Sequence, residues 1–67
     1  MTVTIKSEKI GKYLIEILQE KFESAYHVAM YEEQSEDLYG YPITDRYYKT
    51  LGAAERRFTL LKRGARA

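Results

Sequence analysis

The chain has no cysteine, one histidine and one proline in its 67 residues. Without cysteine, disulfides and thiolate zinc sites are excluded. A lone histidine cannot furnish an ordinary structural zinc site, so neither a metal nor another cofactor is expected. No apolar run approaches the roughly 18 residues needed to cross a bilayer. The opening Met1-Thr2-Val3-Thr4-Ile5-Lys6 lacks the apolar core of a signal peptide, and a cytoplasmic protein is expected.

What remains is the composition of a folded chain, 45% apolar and 31% charged. Its length allows one domain. So short a chain buries only about 60% of its unfolded surface and is marginal alone. With disulfides and metal set aside, a second copy is the simplest source of further burial, and a homodimer is expected.

Thr2 to Lys6 alternate polar and apolar, which predicts a short strand or extended arm. Ser7 and Glu8 then suit a helix start. Ile10, Leu14, Ile17, Leu18, Ala25 and Val28 fall within one arc at helical spacing, flanked by Phe22 and Ala29. Lys21 lies near the centre of that arc. The spacing predicts one helix over 7–33, with a break near Ser24 as the alternative. Tyr39-Gly40-Tyr41-Pro42 marks a loop over 34–43. Thr44 or Asp45 would cap a second helix over 44–63, with Tyr47, Leu51, Ala54, Phe58 and Leu61 as its seam and Gly64 as its stop. The expected fold is all-α: a two-helix antiparallel hairpin with an extended N-terminal arm, dimerising into a four-helix bundle.

Charge is unevenly placed. Residues 1–52 carry six basic and nine acidic groups, whereas 53–67 carry five basic groups against Glu55. A hairpin would bring the basic tail beside Lys6, Lys9 and Lys12, and gather Glu32, Glu33, Glu36, Asp37 and Asp45 at the far end. Arg46, Lys49, Arg56 and Arg63 would form one basic stripe on the outer face of the second helix. Such a row suits a phosphate backbone or an acidic protein groove, and a solvated face suits it too. Leu60, out of register with the seam, adds an apolar point there. Four of the seven tyrosines lie between Tyr39 and Tyr48. Tyr39, Tyr41 and Tyr48 suit a protein contact, because tyrosine offers rigid area with a polar tip.

Catalytic equipment is sparse. His27, between Glu23 and Tyr31 at helical spacing, reads as a surface histidine. Ser7, Ser24 and Ser35 have no histidine spaced to activate them. No glycine-rich phosphate loop is present. The expected function is therefore a non-enzymatic protein–protein interaction module: an adaptor, inhibitor or regulatory accessory protein acting as a homodimer. Its partner-binding residues would be Tyr39, Tyr41, Tyr48, Arg46, Lys49, Arg56 and Arg63.

A second reading is a DNA-binding regulator. Thr2-Val3-Thr4-Ile5-Lys6, followed by a helix, resembles the start of ribbon-helix-helix repressors and antitoxins. The resemblance covers about six residues. It implies two strands paired across a dimer, with Thr2, Thr4 and Lys6 entering the major groove.

Overall fold

A computed structural model describes residues 2–20 and 25–66. It overturns the all-α expectation. The strands are β1 (Thr2–Ile10), β2 (Tyr13–Glu20), β3 (Tyr26–Ser35), β4 (Leu38–Tyr39) and β5 (Thr44–Tyr48). One helix follows, α1 (Leu51–Arg66). All strand pairs are antiparallel: β1 with β2, β2 with β3, and β3 with both β4 and β5. The expectations for Lys21, Phe22, Glu23 and Ser24 lie outside the described residues.

The predicted first helix is instead β1, β2 and β3, and its failure has a local cause. Gly11 stands first in the two-residue link between β1 and β2 with φ of 59°, where a type II′ hairpin turn takes glycine. Tyr13-Leu14-Ile15-Glu16-Ile17-Leu18 is then dense in β-branched and aromatic side chains. The helical arc omitted Ile15, which is fully buried. It also put Ile17 and Leu18 on one side, whereas neighbours in a strand point to opposite faces. A second reversal follows β3, where Asp37 takes φ of 57°, a conformation aspartate tolerates better than most residues.

Gly11 gives a test of sign. No atom lies within 4 Å of a Cβ built there, so Gly11→Ala acts through the backbone alone. An alanine held at this positive φ is strained by about 1–3 kcal/mol, so destabilisation is expected in urea unfolding. A helix over 7–33 would instead gain about 1 kcal/mol from the same change.

One face of the sheet carries the core. Ile15, Ile17 and Val28 meet Ala54 and Phe58 of α1, with Ile10, Tyr26, Met30, Tyr48, Leu51 and Leu61 packed around them. The seam positions Leu51, Ala54, Phe58 and Leu61 thus do face a core, but the core is a sheet rather than a second helix. Tyr47 leaves the seam because Thr44–Tyr48 is strand β5. The cap is Thr50, whose Oγ1 accepts from the Ala53 amide at 3.2 Å, not Thr44 or Asp45. Gly64 lies inside α1 and does not end it.

The expected rod with charged ends is also absent. Lys62 bonds Glu8 at 2.9 Å, with Arg66 at 3.8 Å, tying the end of α1 to β1. The Lys62 hydrogen bond holds the Glu8 carboxyl below the usual range. Lys9 meets Glu33 at 2.9 Å, so two groups expected at opposite ends are partners. That bond raises Lys9 and lowers Glu33 from their ordinary values.

Candidate functional site

The strand registers decide which side chains share the second face. Lys9, Leu14 and Tyr31 form one row across β1, β2 and β3. Ser7, Glu16, Ala29 and Asp45 form the next, reaching β5. Thr4, Leu18, His27 and Tyr47 form a third, and Glu20 lies beyond it opposite Thr2. Among the described residues no helix or strand lies over these rows, since α1 occupies the other face.

The middle of this face is acidic and aromatic. Ala29 is fully buried beneath its larger neighbours, with Glu16 and Asp45 on the strands to either side. With strands about 4.8 Å apart, those two residues are separated by about 10 Å at Cα. Burial raises the Tyr31 phenol above its ordinary value, and the charges of Glu16 and Asp45 add to the shift. Tyr39 stands edge-on to Tyr31, ring centroids 6.4 Å apart, with the Lys9 amine 5.9 Å from its own ring. Tyr47 is 63% exposed and stacks on His27 at 5.1 Å.

His27 was expected at the surface; it is 9% exposed. Its Nδ1 lies 2.9 Å from Asp45 Oδ1. A carboxylate only accepts, so Nδ1 carries a proton; when the ring is neutral, Nε2 presents a lone pair. Nε2 is buried, 3.9 Å from Glu20 Oε1, and among the described residues it has no hydrogen-bond partner. Two acceptors therefore face each other.

The residues expected to bind a partner are dispersed. Tyr39 belongs to the open face. Tyr41, 96% exposed, projects from the link between β4 and β5. Tyr48 lies on the helix side and packs against the core. Arg46 is an exposed residue of β5, and Lys49 precedes α1. Only Arg56 and Arg63 share the outer face of α1, around a shallow hollow with Gly52, Glu55, Thr59 and Leu60. The single helical stripe of four cations is therefore corrected to a pair.

The ribbon residues are also divided. β1 pairs with β2 of its own chain, and a turn rather than a helix follows it. A register shift between Thr4 and Lys6 sets Thr4 opposite Leu18 and Lys6 opposite Ile17. Thr2 and Thr4 thus share the open face, while Lys6 turns to the helix side, its amine 5.1 Å from the Phe58 ring. These three side chains present no common reading surface.

Sequence reasoning missed Glu16, Glu20, Tyr31 and Asp45 as neighbours. The available signal was alternation over 26–31, where His27, Ala29 and Tyr31 interleave with Tyr26, Val28 and Met30. Among the described residues no group of three or more His, Asp or Glu side chains is placed to hold a metal. No described helix is long and apolar enough to cross a membrane. Comparison with protein-family models, with curated proteins and with solved structures finds no match for this chain.

Proposed function

We propose that this protein is a non-enzymatic protein–protein interaction module that docks a basic partner on the open face of its sheet. One observation carries the reading: Glu16, Glu20 and Asp45 share that face, and among the described residues no Lys or Arg pairs with them. Tyr31 and Tyr47 flank them with aromatic area suited to a guanidinium or an ammonium. Binding rather than catalysis is supported by His27, whose Nε2 is buried away from any substrate. An adaptor or regulatory role in the cytoplasm belongs to this proposal, in keeping with a chain held together without disulfides. A homodimer, expected from the small burial available to so short a chain, belongs to this proposal as well; self-association is not needed for this face to work.

The test is titration with a blocked peptide carrying two arginines, followed by heteronuclear NMR. Saturable binding that weakens with added salt is expected. Absence of binding at low salt contradicts the reading.

The outer face of α1 favours a second reading, the binding of a nucleic-acid backbone. Arg56 and Arg63 stand two turns apart there, and among the described residues neither has a carboxylate partner. Under this reading duplex DNA binds with steep salt dependence, and Arg56→Glu with Arg63→Glu abolishes it. Equal binding by that variant in a mobility-shift assay contradicts it.

A further inference from the structure

We infer that proton uptake by His27 weakens the docking of a basic partner, making the open face sensitive to pH. The inference rests on the docking face proposed above and concerns its regulation.

The Asp45 carboxylate fixes the neutral ring with its proton on Nδ1, leaving the Nε2 lone pair 3.9 Å from Glu20 Oε1. Among the described residues nothing donates to Nε2, although it is buried. A buried acceptor without a donor is unfavourable. A proton resolves the conflict with little movement. It adds from solvent to the Nε2 lone pair, and the new N–H points at Glu20, whose side chain is 31% exposed and has room to approach. No bond breaks, and the ring becomes a cation held between two carboxylates.

Among the described residues, the ionisable groups nearest His27 on this face are Glu16 and Glu20 from β2 and Asp45 and Tyr47 from β5. None is a cation. The same carboxylates are the ones offered to a basic partner. Imidazolium formation cancels one of three negative charges and turns Glu20 inward. Proton and partner therefore compete. Histidine is the side chain whose ordinary titration falls between pH 5 and 8. Glu8 and Glu33, both lowered, are held by Lys62 and Lys9 and titrate below that range.

The experiment titrates the diarginine peptide at about pH 7.5 and about pH 5.5, either side of the ordinary histidine range. Affinity is expected to fall about five- to tenfold at the lower pH, the effect of one lost near-surface charge contact. Ring ¹⁵N shifts of His27 should pass from the Nδ1–H tautomer to the doubly protonated form over the same interval. His27→Gln should abolish the pH step. If that variant fails to fold, Glu20→Gln keeps the ring, removes the carboxylate charge that the imidazolium would meet and should shrink the step. Equal affinity at both pH values, or an undiminished step in either folded variant, overturns the proton gate alone. No binding at either pH overturns the docking face itself and the gate with it.

Discussion

Phe58→Ala is expected to leave the protein largely unfolded at physiological temperature. Phe58 is the largest fully buried side chain, seated among Ile15, Ile17 and Val28 and overlain by the Lys6 and Lys62 amines. Removing a buried phenylalanine costs about 3–5 kcal/mol, because the cavity collapses only in part. Domains of this size hold about 3–10 kcal/mol in all. α1 is the cover on this face of the sheet, so little else can move into the space. Urea unfolding followed by far-ultraviolet circular dichroism measures the loss. Leu60→Ala is the control: Leu60 lies on the outer side of the same helix, 56% exposed, and its truncation should change stability by about 0.5 kcal/mol or less. Equal losses from both would mean that α1 does not pack as described.

The second large effect is on binding. Glu16→Lys together with Asp45→Lys should lower affinity for the diarginine peptide about 100-fold. Each substitution turns an attraction into a repulsion, at about 1.4 kcal/mol apiece. Asp45 also holds His27, so Glu16→Lys alone serves as the check on folding and should lower affinity about tenfold by the same conversion. Retained affinity in a folded single variant would move the docking site elsewhere.

The contrast between the two halves of the chain explains what could be read from its sequence. The seam from Leu51 to Leu61 was legible because helical spacing and a one-sided core coincide there. The Thr2–Lys6 alternation was legible as strand, yet its continuation was not: Ser7-Glu8-Lys9 mimics a helix start, while in the fold Glu8 meets Lys62 and Lys9 meets Glu33. Residues 13–18 carry apolar side chains on both sides, interrupted only by Glu16, and so short a run fits a helix arc or a strand equally well. Gly11 broke that tie, but a glycine among polar residues signals a turn only when strands on both sides are already suspected. Tyr47 followed the seam by spacing alone, although Thr44–Tyr48 is too short and too rich in Thr and Tyr to favour helix. The acidic face was hidden for a different reason. Glu16, Asp45 and His27 come from three strands, and only the cross-strand register brings them together.

Methyl spectra recorded during the peptide titration examine the two-sided sheet and its docking face together. Leu14, Leu18 and Ala29 point to the open face, while their chain neighbours Ile15, Ile17 and Val28 point to α1. The expected result is movement of the first set with the second nearly still, a pattern that alternates along β2 and β3. Movement confined to Leu60 and Leu61 on α1, or equal movement of both sets, would contradict it.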